Sequence, residues 1–194
     1  MATQRLATDQ KKARRRGASI VFLDETGFML QPVNRQTWAP IGCTPIQKAW
    51  DRRERLSVIG AVCLSPTRTR VSCGFDVQRK NVKTDDAVDF LRRLRKKLRR
   101  PLIVVWDRWS VHRAAEKQIA KLGWKHIEFE QLPAYCPELN PVEAMWSHAK
   151  YADMANYVPD DVEQLDDAVN DSLDDQAQDH KLKLSFFKTA QLRL

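Results

Sequence analysis

The chain has 194 residues, 43% of them hydrophobic, with 33 Lys and Arg against 25 Asp and Glu and a formal net charge of +8. That is enough apolar content for one core of ordinary size, and no apolar run approaches the ~20 residues of a membrane span or follows the basic N-terminus as a secretory signal would. Cys43, Cys63, Cys73 and Cys136 stand at irregular spacings without a CxxC pair, which excludes a zinc ribbon or thioredoxin-type motif and fits a reduced, cytoplasmic setting.

Residues 1–17 are polar and basic (Lys11, Lys12, Arg14, Arg15, Arg16) and read as a linker or the tail of a helix ending at Gly17; 18–194 read as one domain. Ser19–Leu23 is an apolar, β-branched run predicted to be a buried strand, closed by turn chemistry at Asp24-Glu25-Thr26-Gly27. Residues 31–50 hold Pro32, Pro40, Pro45 and Gly42 and predict a loop or irregular hairpin, which Trp38 and Trp50 would pin unless they stack on bases. Leu56–Leu64 and Thr69–Val77 read as two strands of a meander across the Ser65-Pro66 turn. A helix is expected over 84–100, with Ala87, Leu91, Leu94 and Leu98 on one face and Pro101 as its stop. Leu102–Trp106 is the next buried strand, ending in Asp107.

Ser110 is the expected N-cap of a helix over about 111–122, with Gly123 just past its end. Ile127–Leu132 reads as a fifth strand. Asn140-Pro141 opens a helix with a cap and a proline at its first position, and a last helix follows Pro159 with Val162, Leu165, Val169 and Leu173 on one face. A meander followed by alternating helices and strands predicts an α/β fold with a mixed five-stranded sheet flanked by helices, the crossover strands parallel.

Charge is unevenly spread. Residues 1–150 carry +14, residues 151–180 carry ten acids and no Lys or Arg, and 181–194 carry +4. A basic body points to a polyanionic partner, nucleic acid first. Seven of the nine residues 92–100 are Lys or Arg. They form either a phosphate-contacting run or a solvated helix face.

Asp24 and Asp107 each end a fully apolar strand, and strand carboxyl ends are where α/β sheets bind ligands. If the two strands are parallel neighbours, the carboxylates approach and repel. A hard divalent cation, Mg²⁺ or Mn²⁺, relieves that repulsion. Glu143, in the first turn of the Asn140 helix, either completes the cluster or serves as the reciprocal partner of a capping box. No GxxxxGK[ST] exists in the chain, so Asp24-Glu25 has no phosphate cradle of the nucleotide-hydrolase kind.

The segments IVFLDETGF (20–28), VVWDRWSVHRA (104–114) and LPAYCPELNPVEAMWSHAK (132–150) resemble the three signature blocks of the DDE transposases, most closely the mariner superfamily and its bacterial insertion-sequence relatives (the DDE superfamily endonucleases). Thirty-five residues separate Asp107 from Glu143, and Leu139, Asn140, Pro141, Trp146 and Lys150 fall on the family's pattern, as do Pro159 and Phe186-Phe187-Lys188. The likeness covers about residues 11–194.

The resemblance implies a ribonuclease-H-like fold. It implies that Asp24, Asp107 and Glu143 are catalytic and hold two divalent metal ions. The activity implied is DNA phosphodiester hydrolysis and strand transfer in cut-and-paste transposition of an insertion sequence. The implied partners are double-stranded DNA, both element ends and target, and a second copy on DNA, in the cytoplasm of a bacterium at the nucleoid. His112 lies where the family has a His near the metals or the scissile phosphate. Arg108 stands where the family more often has Asn, and an Arg still holds a phosphate. Asn140 belongs to the same pattern, and Lys150, on the Glu143 face of the helix, is a candidate DNA contact. Glu25 is expected to point away from Asp24 by strand alternation and to support the site from behind. Trp146 is assigned to packing, and His126, His148, His180 and the cysteines to structure.

Family members carry an N-terminal helix-turn-helix region that reads the element ends. Only 23 residues precede Asp24, so that part is expected from a separate subunit or reading frame. A truncated, catalytically silent remnant that only binds DNA is the competing expectation, and a ribonuclease H proper is a third.

Overall fold

In the computed structural model, which describes residues 11–47, 54–133, 136–190 and 192, the five apolar runs form one sheet. The strands are β1 (Ser19–Met29), β2 (Arg55–Leu64), β3 (Val71–Gln78), β4 (Leu102–Trp106) and β5 (Ile127–Gln131), in the order β3-β2-β1-β4-β5. β1, β2 and β3 form the antiparallel meander, and β4 and β5 join parallel to β1, as the element order predicts. The helices are α1 (residues 11–16), α2 (Thr84–Leu98), α3 (Ser110–Lys121), α4 (Pro141–His148), α5 (Val162–Gln178) and α6 (His180–Thr189).

Side-chain alternation along β1 splits the core in two. Val21 and Leu23 pack with Ala87, Leu91, Ala115 and Ile119 of α2 and α3. Ile20, Phe22 and Phe28 pack on the other face with Met145, Trp146, Val169 and Phe187 of α4 to α6. The apolar stripe foreseen on α5 (Leu165, Val169, Leu173) is buried there. Gly123 ends α3 with φ +67°, a left-handed conformation that costs glycine nothing.

Four local expectations are corrected. Residues 24–27 do not turn: β1 runs on to Met29 because β2 pairs with it throughout, Asp24 facing Gly60 and Gly27 facing Ser57. An antiparallel partner satisfies these backbone groups, and that outweighs local turn propensity. The N-cap of α3 is Trp109, not Ser110, for a reason that belongs to the site below. The tail holds two helices, since Asp179 breaks it and caps α6 by accepting the Leu182 N–H at 3.0 Å. Residues 31–47 contain no strand, and Trp38 is 100% exposed, so it pins no hairpin. This segment is tied down instead through Asn156, whose N–H donates to the Val33 carbonyl at 3.0 Å and whose side-chain oxygen accepts the Arg35 N–H at 2.8 Å. Trp50 lies outside the described residues.

Among the described residues, no helix is long and apolar enough to cross a membrane.

Candidate active site

The parallel register of β1 and β4 ends at Phe22 opposite Val105. Carried two residues further, it sets Asp24 level with Asp107 on strands about 4.8 Å apart. Asp24 falls on the face of the sheet that α4 covers, and Asp107 follows the last residue of β4. The adjacency supposed from sequence, two apolar strands as parallel neighbours, is therefore the observed one.

Glu143 comes from α4. The short 3₁₀ turn Pro137–Leu139 leads into Asn140, whose side-chain oxygen accepts the Val142 N–H at 3.2 Å, with Pro141 at the first helical position. The N–H of Asn140 donates to the Pro137 carbonyl at 2.8 Å. It is therefore not available to Glu143, and the reciprocal half of a capping box is not made. Val142 and Met145 are buried away from Glu143, and Trp146, one turn on, is buried beside it, while Glu143 stays half-buried and lines the cavity at the sheet end. Asp24, Asp107 and Glu143 line one cavity of about 480 Å³ together with Arg108, Trp109 and Asn140.

Electrostatics mark the same place. Burial pushes the Asp24 carboxyl up to about 7, and the charges of Glu143, Glu25 and Asp107 add to the effect. Three acids around one cavity with a reluctant ion among them form a hard-oxygen donor set whose repulsion a divalent cation relieves. The chemistry of the residues thus fits such an ion. Among the described residues no three acid, His or Cys side chains already stand in a ligating arrangement. The Asp107 side chain is 61% exposed and is engaged by His112.

That holding is detailed. Oδ1 of Asp107 accepts the Trp109 N–H at 2.9 Å, a side-chain-to-backbone turn that fixes the residue just before α3. The same oxygen lies 2.7 Å from His112 Nδ1. The other ring nitrogen of His112, Nε2, lies 2.9 and 3.0 Å from the two Glu25 oxygens. His112 is 1% exposed, stacked on Trp106 at 4.4 Å and edge-on to Trp109. Burial opposes charging this ring, but the bond and charge of Glu25, with Asp107, outweigh it and raise its pKa above the ordinary histidine value. Alternation does point Glu25 away from Asp24, as expected, and the side it points to is that of His112. The chain Glu25–His112–Asp107 joins the two faces of the sheet at its carboxyl end.

Lys150 sits in a π-helical turn, Ala149–Asp153, that continues α4. Its Nζ donates to Thr26 Oγ1 at 2.5 Å and lies 5.2 Å from the centre of the Phe28 ring. Burial lowers its pKa, against the pull of Glu143 and Asp24. Lys150 is thus folded back against β1, beside the acids. Trp146 is core, as assigned: it is 2% exposed, with its ring against Gly60. Cys63 and Cys73 are buried thiols whose pKa burial raises.

The model of the DDE superfamily endonucleases matches residues 19–166. The chain belongs to that family. No curated protein sequence matches it. Solved structures do: the mariner Mos1 paired end complex with Mg, at 16% identity and TM-score 0.63, covering 98% of this chain and 58% of that one. The Mos1 mariner paired end complex with Mn matches at 19% identity and TM-score 0.61, covering 98% and 57%. The Mos1 strand transfer complex matches at 20% identity and TM-score 0.56, covering 98% and 58%. The expected ribonuclease-H-like sheet is therefore the fold. This DDE chain spans a little under three-fifths of the length of the chains it matches.

Two participants escaped the sequence reading. By sequence Thr26 reads as a turn residue, and only the continuation of β1 brings its hydroxyl to Lys150. Trp106 was read as strand core, and its stacking on His112 depends on α3 folding back over β4. The spacing of Asp107 and His112 was the available signal.

Proposed function

We propose that this chain is a transposase catalytic domain that hydrolyses a DNA phosphodiester and then transfers the freed strand end to a second DNA. One observation supports the reading: Asp24, Asp107 and Glu143 line one cavity at the carboxyl ends of the parallel neighbours β1 and β4. In the reaction a water oxygen bonds to phosphorus as the P–O3′ bond breaks, and the leaving oxygen takes up a proton as a 3′-hydroxyl. That hydroxyl then attacks a target phosphodiester by the same in-line displacement.

Asp24, Asp107 and Glu143 would hold two divalent ions, Mg²⁺ or Mn²⁺, which when bound supply activation of the attacking oxygen and stabilisation of the leaving one. The protein's own groups prepare the ground. Glu25 and His112 fix the orientation of Asp107, and Trp109 N–H occupies the same oxygen. The second oxygen of Asp107 would be the one offered to the ions. Arg108, at the cavity wall, presents a guanidinium to a phosphate. Lys150 sets a positive charge against Glu143 and Asp24 from the side of β1. Element ends and target DNA are the proposed substrates. A second copy of the chain and a separate helix-turn-helix subunit are the proposed partners.

Plasmid nicking tests this. With Mg²⁺ or Mn²⁺, the wild-type chain is expected to convert supercoiled DNA to nicked circles, and Asp107→Ala, folded by circular dichroism, is expected not to. Equal silence of the two folded proteins defeats the catalytic reading and leaves a DNA-binding remnant. Cleavage confined to RNA in RNA–DNA hybrids would mean a ribonuclease H. A companion prediction concerns His112→Ala. Losing the group that orients a ligand typically costs about 10–100-fold in metal affinity or activity. Titration with Mn²⁺, read by its paramagnetic broadening, should show the weaker binding directly, and Glu25→Ala should weaken it in the same direction. Unchanged Mn²⁺ affinity in both variants would remove His112 from the site.

A further inference from the structure

The end of the sheet opposite the cavity carries a second, cationic cleft. α2 finishes there with Arg99 in a left-handed conformation (φ +53°), and Pro101 follows. The Ser19 N–H donates to the Pro101 carbonyl and the Leu102 N–H to the His126 carbonyl. This pole therefore sits where β1, β4 and β5 begin, whereas Asp24 and Asp107 lie at or beyond the ends of the β1–β4 pairing. The five residues of β4 set the two regions about 17 Å apart. The cleft measures about 940 Å³, and its walls include Arg95, Lys96, Lys97, Arg99 and Arg100.

Most of that charge is uncompensated. Arg92 pairs with Asp89 and Arg93 with Asp76, but among the described residues the five cations just named have no carboxylate within ion-pair distance. Like charges held this close repel, and the negative carbonyl end of α2 offsets only part of the excess in its last turn. A polyanion resolves the repulsion. The cleft offers mainly point charges: among the described residues the one aromatic ring in its lining is the His126 imidazole, and the Trp124 indole lies under the Arg92 guanidinium at 5.4 Å. Single strands are gripped by exposed aromatics, duplexes through their phosphates. The charge pattern therefore favours the duplex.

We propose that this pole docks the phosphate backbone of a DNA duplex segment other than the one at the acidic cavity. A straight duplex seated at the carboxyl ends of β1 and β4 leaves the far pole untouched, so the domain presents two DNA surfaces facing apart. The proposal shares with the section above only that the ligand is DNA, and its test involves no cleavage.

The test uses the full chain in EDTA with a labelled 30-base-pair duplex of arbitrary sequence, read by fluorescence anisotropy across a salt series. The comparison is the triple variant Lys96→Gln, Arg99→Asn, Arg100→Gln. All three residues are exposed, and Asn tolerates the left-handed position 99, so the fold should survive, as melting temperature will verify. The variant is expected to bind at least ten-fold more weakly at 0.1 M salt. The slope of log K against log salt should become shallower by about 2.7, at about 0.9 per lost phosphate contact. Bead-bound duplex should capture a second, labelled duplex through the wild type and not through the variant.

Unchanged affinity and slope overturn the proposal, as does a wild type that binds no duplex without metal. Tighter binding of single-stranded RNA than of duplex also overturns it. So does a variant that changes only the oligomeric mass, which would assign the pole to the acidic α5 of a second copy. A chain that never nicks DNA but shows the expected slope keeps this surface and loses the catalytic reading.

Discussion

Gly60→Ala is expected to destabilise the protein by about 3 kcal/mol, through a residue that touches no substrate. A Cβ built on Gly60 would stand 2.4 Å from Cη2 and 2.9 Å from Cζ2 of Trp146, and 3.0 Å from Cε of Met145. Trp146 is 2% exposed and Met145 fully buried, so neither ring nor thioether has room to yield. Overpacking of this kind costs about 1–3 kcal/mol and sometimes more. The gain from replacing a strand glycine is only about 0.5–1 kcal/mol, so the clash wins. For a chain of this size the loss corresponds to a melting temperature lower by roughly 6–12 °C. Relief by sliding α4 outward would carry Glu143 away from Asp24, so nicking should fall with stability. Trp146→Phe should rescue the variant. It removes the atoms that clash, and it removes an indole N–H that is buried without an acceptor among the described residues. A double-mutant cycle measures the coupling. Additive melting temperatures would show that the glycine is not there for the tryptophan.

Asp24→Asn is expected to stabilise the metal-free protein at pH 8 by a few kcal/mol while abolishing its chemistry. The folded chain keeps a proton on Asp24 up to about pH 7, whereas the unfolded chain releases it near the ordinary 3.8. Between those values the native state binds more protons than the unfolded one, so stability falls as pH rises through the window and is flat above it. A rise from 3.8 to about 7 sets the ceiling at about 4 kcal/mol. Urea denaturation in EDTA should therefore show the variant above wild type at pH 8 and converging with it near pH 4. Millimolar Mg²⁺ should close the gap at pH 8 by raising wild type alone, since a ligand of the native state adds stability. A gap of equal size at both pH values would assign the effect to packing rather than charge.

Much of the fold was legible because the chain's signals are local. Leu102–Trp106 was bounded residue for residue, and α4 opened at Asn140-Pro141, because an apolar run stopped by charge and a cap followed by proline are decided within a few residues. The two aspartates were legible as the closing residues of apolar runs. Glu143 was ambiguous by itself, since its spacing from Asn140 suits a capping box equally well. The ambiguity is removed by the Pro137 carbonyl, which takes the Asn140 N–H. Trp38 shows the converse: an aromatic among prolines suggests packing, and nothing in the described chain comes to cover it.

By itself the sequence determined the five strands and their mixed sheet, the positions of the three acids and the basic excess of the first 150 residues, because periodicity, caps and charge need no knowledge of neighbours. Tertiary structure alone decided which groups meet. Pairing with β2 drew β1 straight through Asp24 to Phe28, which delivers Glu25 to His112 and Thr26 to Lys150 on opposite faces of one strand. The parallel pairing of β1 and β4 brought Asp24 and Asp107 to one cavity, and the vacancy at Gly60 let Trp146 pack α4 so that Glu143 lines it too. Those contacts span from 36 to 124 residues of chain. Pairing energies accumulated along whole strands fixed them, and no local propensity encodes such a sum.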